Sequence, residues 1–460
     1  MADYIPNTPL EQQEMLATIG LQTMDELFAD IPAAVRLPRE LDLPPALPEL
    51  ALAEHLKQLA GQNSNLDNLC CFLGAGAYDH YIPAVVQNLA SRQEFFTAYT
   101  PYQPEISQGT LQAIFEYQTM ICELTGMDLA NASLYDGASA LAEAALMACR
   151  ATGKSQLLIA DTVHPDSRAV ADTYLHFSGQ ATATVARDPV TGQVDPADLV
   201  RQLSANTAAV IVQYPNFYGV IENLQQVADL AHSRQALLIV SCDPIALGLL
   251  QAPGDAGADI VVGEGQSLGN SLSFGGPYLG FFAARQHLLR RMPGRIVGET
   301  VDARGRRCYV LTIQTREQHI RREKATSNIC SNQALNALIA TLYLARTGPA
   351  GLREVAEQCT RKAHYLYEQL LQLPQFQPVF TGPFFKEFAI RCQGDLAALN
   401  QSLLAAGFLG GFEVRRMDPD MTDVWLLAVT EKRTKAEMDR LVQTIRQLIS
   451  REEDGHAQNS

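Results

Sequence analysis

Four short segments of this 460-residue chain collect the residue types that bind anions or handle protons. Tyr135-Asp136-Gly137-Ala138-Ser139 runs into an apolar helical pattern, an arrangement whose backbone N–H groups cradle a phosphate. Read plainly, the same Asp-Gly pair is a turn and a helix cap. Asp243 closes a strand-like run at 237–242, where a carboxylate partners the nitrogen of a bound pyridine ring, and His164 follows another run at 156–161. Both fall at the carboxyl edge of strands, where open sheets build their sites. After 260–262 comes the glycine-rich segment Gly263-Glu264-Gly265-Gln266-Ser267-Leu268-Gly269.

The other two segments are polar and basic. Between Tyr99 and Gln108 the chain packs Tyr99, Tyr102, Gln103, Glu105, Ser107 and Gln108 around two prolines, Pro101 and Pro104, a stiff loop suited to line a substrate passage. A surface loop that only packs is the alternative. From Arg285 to Lys324 eleven basic residues face four acidic ones, in a chain of net charge −15. Arg316, His319 and Arg321 are expected to face a shared site and an anion there, with Thr326, Ser327 and Asn328 continuing the stretch. The competing reading pairs these arginines with acidic neighbours at a subunit contact.

One absence bears on all of this. Lysine occurs only at 57, 154, 324, 362, 386, 432 and 435, so 155–323 has none. In pyridoxal-phosphate enzymes built from a large and a small domain, a strand-end lysine forms the Schiff base. Gly137 to Ser139 and Asp243 are pieces of such a site, and the lysine is missing from it. The expectation is that no lysine nitrogen stands at the base of the cleft. Lys154 and Lys324 lie away from the expected strand end. His80 and His164 match no zinc spacing with the cysteines, so no metal is expected. Gly74-Ala75-Gly76 lacks the third glycine of a dinucleotide loop.

The elements that would position these groups follow from periodicity. Strand-like runs at 156–161, 182–186, 208–214, 237–242, 260–262 and 280–284 alternate with helical patterns at 110–124 and 139–150 and with helices opened near Asp195 and Asn223, which predicts a mostly parallel sheet flanked by helices. Beyond 330, helices at 332–346 and 351–371, strands at 388–392 and 424–429, and a last helix opened by Thr434 to Glu437 predict a smaller α+β domain. The domain reading is an N-terminal proline-rich arm (1–65) with two short helices, a large α/β domain (66–330), a small α+β domain (331–451) and a frayed tail (452–460). Acidity argues against nucleic-acid binding, no apolar run is long enough for a membrane span, and nine cysteines without a Cys-x-x-Cys pair fit a reducing cytoplasm.

Several long motifs carry a resemblance: Ile5 to Pro9, Phe72 to Pro83, Tyr99 to Thr110, Asn131 to Gly137, Gly263 to Gly269, Pro293 to Thr300 and Gln314 to Cys330. In these the chain resembles the glycine cleavage system P-protein family, in its subunit 1 type. The resemblance implies a fold type I, pyridoxal-phosphate-transferase-like fold. It implies glycine decarboxylation with transfer of the aminomethyl group to the lipoyl group of the H-protein, carried out together with a second P-protein subunit. Counting back from Gly275-Gly276-Pro277 places Gln266 where the family's catalytic half has its lysine. The covalent pyridoxal phosphate would then belong to the partner, and Gly137, Ala138, Ser139, His164, Asp243 and Gln266 would outline a vestigial pocket. A scaffold that only stabilises the partner and docks the carrier remains the alternative.

Overall fold

The computed structural model describes residues 7–37, 39, 41–325, 327, 329 and 331–450, and the backbone alone of 451–457. It divides into two units, Met1–Ser64 and Asn65–Ser460. In the first, the helix Pro9–Thr18 starts on the reciprocal Thr8–Glu11 box with proline at its first turn. Thr23 and Glu26 make no such reciprocal pair. The Thr23 hydroxyl alone donates to Glu26 at 3.1 Å, and a single short 3-10 helix, Met24–Phe28, results. A third helix, Glu49–Ala60, opens on Pro48 without a side-chain cap, which is why no capping signal marks it in the sequence. Among the described residues of this unit only Leu16 is buried.

The second unit is organised by a seven-stranded sheet. In spatial order its strands are Leu129–Ala130, Gly280–Ala284, Ile260–Glu264, Leu237–Cys242, Thr207–Tyr214, Gln156–Ala160 and Ala181–Val185. The last five are mutually parallel, and Gly280–Ala284 and Leu129–Ala130 are antiparallel additions at one edge. Strands such as Thr207–Tyr214 are apolar almost throughout because helices cover both faces. A four-stranded antiparallel sheet follows, ordered Phe376–Pro378, Glu387–Cys392, Val424–Ala428, Phe412–Glu413.

The run Ala334–Leu370 contains the expected break. Gly348 has φ 60° and ψ 179° with Pro349 next, so two helices meet end to end. The changeover between the two apolar cores lies within this run: Ala337 to Cys359 pack on the large sheet, whereas Ala363, Leu366 and Leu370 pack on the small one. The last helix, Lys435–Ala457, opens on the Thr434–Glu437 box and buries Met438, Leu441 and Ile445. A hairpin, Ile296–Val301 with Arg307–Thr312, occupies the basic stretch where periodicity indicates no strand.

Gly219 is where backbone approaches backbone most closely beside the pocket. It has φ +84°, and a Cβ there would lie 1.8 Å from the Glu387 carbonyl oxygen. Gly219→Ala is therefore expected to destabilise the chain by more than the ~1–2 kcal/mol of a left-handed alanine. Gly109→Ala, inside the helix Gln108–Thr125 with open space around it, should stabilise by about 0.5–1 kcal/mol. Paired thermal melts check the opposite signs.

Candidate functional site

The carboxyl ends of the parallel strands deliver Asp161 and His164, Gln213 and Pro215, Ser241 to Asp243, and Glu264 and Gln266 to one edge of the large sheet. The amino end of the helix Gly137–Thr152 opens onto the same edge. Together they enclose a cavity of about 270 Å³, lined among others by Gly137, Ala138, His164, Asp243 and Gln266. Ser139, the remaining expected member, exchanges hydrogen bonds with the helix cap: its N–H donates to Asp136 Oδ1 at 2.7 Å and its hydroxyl accepts from the Asp136 N–H at 3.2 Å.

The helix start is already engaged by a carboxyl group of this chain. Glu264 Oε2 accepts the Gly137 N–H at 3.0 Å, and its Oε1 accepts those of Gln266 and Leu279, each at 3.0 Å. Burial pushes the Glu264 carboxyl up to about 7 against the pull of these donors. Gly137 allows this approach, because a Cβ there would sit 2.8 Å from the Glu264 nitrogen.

The second occupant corrects the sequence reading. A lysine nitrogen does stand in the cleft: Lys386 Nζ lies 2.6 Å from Asp243 Oδ2 and 2.9 Å from His80 Nε2, and 3.7 Å above the centre of the Tyr78 ring. Its residue is 1% exposed. It arrives from the residue before the strand Glu387–Cys392 of the small sheet, which is why a lysine count over 155–323 could not find it. An ammonium cannot accept a hydrogen bond, so His80 accepts through Nε2 and carries its proton on Nδ1, which points at Glu431 Oε2 2.7 Å away. Burial would raise Glu431; His80 and the Tyr81 N–H outweigh it and hold the carboxyl down at about 2. Cys359 Sγ donates to the same oxygen at 3.4 Å. The ligand-type atoms of His80, Cys359 and Glu431 thus lie within 4.8 Å of one another, already joined by hydrogen bonds and faced by the Lys386 ammonium.

The loop from Gly74 to His80 is gripped from both sides. Gln266, 2% exposed, accepts the Tyr78 N–H at 3.0 Å and donates to the carbonyls of Tyr78 (3.3 Å) and Asn270 (2.8 Å). Opposite, Glu387 accepts the Ala75 N–H at 2.6 Å and the Tyr78 hydroxyl at 2.8 Å, and burial pushes its carboxyl up to about 7. His164 accepts the Asp166 N–H on Nδ1 and donates from Nε2 to the Ala75 carbonyl at 2.9 Å. Tyr78, Glu264, Lys386 and Glu387 are absent from the sequence candidates. Tyr78 and Glu264 lie inside the motif segments Phe72 to Pro83 and Gly263 to Gly269 without being singled out, and the one signal of Lys386 and Glu387 was a Lys-Glu pair among Phe384, Phe385 and Phe388, just ahead of the expected strand at 388–392.

The remaining candidates gather elsewhere, sharing no lining residue with this cavity. Tyr102 accepts a hydrogen bond from Arg295 at 2.9 Å and meets the His319 ring edge-on at 6.3 Å, with Glu317 within 4 Å of both Arg295 and His319. Tyr99 is 85% exposed, and Gln103 and Glu105 are exposed beside it. Two expected binding groups are instead tied to main chain. Gln108 brackets Tyr309 with one hydrogen bond to its carbonyl and one from its N–H, both at 2.9 Å. Arg316 is buried and donates to the carbonyls of Met292, Gly294 and Ile313, and burial lowers its pKa. Arg316 also lines small cavities, one beside Arg295 and Glu317 and one beside Arg321 and Lys324. Arg321 donates to the Thr315 carbonyl at 3.0 Å, and Ser327 donates to Glu143 at 2.8 Å. Ser107 stands at the start of the helix Gln108–Thr125 without a side-chain cap bond. Thr326, Asn328 and Cys330 lie outside the described residues.

Comparison with known proteins agrees with this architecture. The family model described as glycine cleavage system P-protein matches residues 2–445. The probable glycine dehydrogenase (decarboxylating) subunit 1 of Moorella thermoacetica is 55% identical over 97% of this chain and 100% of its own length. That of Carboxydothermus hydrogenoformans is 53% identical over 96% and 99%. A crystal structure of glycine decarboxylase (P-protein) of the glycine cleavage system, in inhibitor-bound form, superposes with a TM-score of 0.89 at 45% identity, covering 97% of this chain and 99% of that one. At 16% identity and a TM-score of 0.68, a sphingosine-1-phosphate lyase of Burkholderia pseudomallei shares the fold, which is fold type I. The chain belongs to the glycine cleavage system P-protein family, as a subunit 1 type member.

Proposed function

We propose that this chain is the subunit of a heteromeric glycine decarboxylase that carries no covalent cofactor. In this reading a second subunit holds pyridoxal phosphate and the present chain completes the site. The pair decarboxylates glycine and passes the aminomethyl group to the lipoyl group of the H-protein. The near full-length match to relatives named glycine dehydrogenase (decarboxylating) subunit 1 supports the activity. The observation that carries the division of labour is the state of the cavity. A pyridoxal phosphate would need a free amine for its aldehyde, a carboxylate for its ring nitrogen and a cluster of N–H donors for its phosphate. Here position 266 is a glutamine, the Asp243 carboxylate is paired with Lys386, and the helix start is taken by Glu264. Lys386 is an amine in the cleft, but its Nζ is engaged by Asp243 Oδ2 and His80 Nε2. Lys154 donates to the carbonyls of Arg234 and Gln235 at the surface, and Lys324 lines a separate cavity with Arg316 and Arg321. The residues do not fit the cofactor.

What this chain contributes is then assigned to the outward cluster. Tyr102 keeps its hydroxyl proton while accepting from Arg295, so it can donate to an anion. Tyr99, Gln103 and Glu105 stand exposed next to it, where a partner's site would meet them. The scaffold reading draws on Gln108 and Arg316, whose polar groups tie main chain together.

Two experiments decide. The purified chain with added pyridoxal phosphate should develop no imine absorbance band and no borohydride-fixed label, while addition of the second subunit should bring both; a label on Lys386 in the isolated chain would overturn the proposal. In the assembled enzyme, Tyr102→Phe should lower turnover about tenfold, the rate equivalent of one lost hydrogen bond, with assembly intact by sedimentation. Unchanged turnover would favour the scaffold.

A further inference from the structure

Resting on that reading, we propose that Lys386 and Glu264 are built-in occupants of the two charged subsites of a latent phosphopyridine pocket, Lys386 standing for the ring-nitrogen cation and Glu264 for the phosphate. Loss of an amine at position 266 is then only one of three changes that close the site.

Asp243 has two carboxylate oxygens. Oδ1 accepts the Ile245 N–H at 3.0 Å, and Oδ2 holds the Lys386 ammonium at 2.6 Å. A protonated pyridine nitrogen would have to take the second. Lys386 cannot readily yield it. Its backbone carbonyl accepts the Val429 N–H at 2.8 Å, its ammonium also donates to His80, and the Tyr78 ring covers it. At the other end of the cavity, three N–H groups converge on the Glu264 carboxylate, one of them from the first turn of a 16-residue helix. A phosphate would need these donors and would meet Glu264 and Asp136 as like charges. A carboxylate stripped of its partner, or helix N–H groups left bare, would be costly in a buried cleft. Tethered side chains of the right signs remove that cost without any ligand. They also tie the small sheet to the large one, since Lys386 and Glu387 both enter from the small sheet.

The test uses the full chain with pyridoxal phosphate as the probe. Gln266→Lys supplies an amine that can condense with the aldehyde and release water. By itself it should bind the probe at least about 100-fold more weakly than the triple variant with Lys386→Met and Glu264→Ser, in which both subsites are vacated. Imine absorbance titration and mass spectrometry after borohydride read the affinity and the labelled position. Equal affinity of single and triple variants overturns this inference and leaves the proposed function standing. An imine on wild-type Lys386 overturns both. A double-mutant cycle keeps the inference testable if the triple variant fails to fold. Lys386→Met and Asp243→Asn should each lower the melting temperature, and together they should lower it by clearly less than the two losses added. Strict additivity overturns the pairing.

Discussion

The contact between Asp243 and Lys386 joins the two sheets: Asp243 follows the strand Leu237–Cys242 of the parallel sheet, and Lys386 precedes the strand Glu387–Cys392 of the small antiparallel sheet. Burying two charges is not by itself stabilising, because each loses its hydration. Once both are buried, however, removing either leaves a bare charge, at a cost of roughly 3–5 kcal/mol. The two sheets are therefore held in one arrangement by a contact that tolerates no partial loss. The ion pair also sets the protonation of what lies behind it. His80 receives the ammonium, turns its own proton to Glu431, and Glu431 in turn takes the thiol of Cys359 and the Tyr81 N–H, while its backbone carbonyl accepts from Lys362.

A second tie repeats the theme along the same edge. Arg187 bridges Asp161, past the end of the strand Gln156–Ala160, to Asp418 near the small sheet, with the Tyr218 hydroxyl on the same Asp418 oxygen. With Gln266 and Glu387 gripping the loop at Tyr78 from opposite sides, the cleft is a rigid joint. The chemistry-bearing groups left accessible lie outside it, around Tyr99, Tyr102 and His319. They are backed by Gln108 and Arg316, whose hydrogen bonds to Tyr309, Met292, Gly294 and Ile313 fix the hairpin beneath them.

Six of the seven strands of the large sheet were legible in the sequence, the central ones because burial on both faces leaves an almost unbroken apolar run, as at Thr207–Tyr214; the two-residue edge strand Leu129–Ala130 was too short to leave one. The hairpin Ile296–Val301 with Arg307–Thr312 was not legible, because Glu299, Arg307 and neighbours at its exposed end mask the alternation. The pocket was half legible for a related reason. Gly137, His164, Asp243 and Gln266 follow their strands directly or open a helix, so position along the chain predicts position in space. Lys386 reaches His80 across 306 positions, and nothing local in the chain announces where a lysine from another sheet will point. Arg316 shows the converse. Its place in a basic stretch suggested an anion, and burial turns three of its donors toward main-chain carbonyls.

Gln266 fastens the turn after the strand Ile260–Glu264 from within the chain. A strand-end amine would need something to react with or to pair with. A glutamine amide both donates and accepts, and here it closes a ring of hydrogen bonds with Tyr78 and Asn270, leaving the turn as well anchored as a covalent link would. The charges follow the same logic. The negative strand end faces a positive group, the positive helix end faces a negative one, and each counter-charge is supplied from inside the chain. The charge pattern of the cleft is thus balanced within the chain, because the helix dipole and the buried Asp243 each demand a counter-charge.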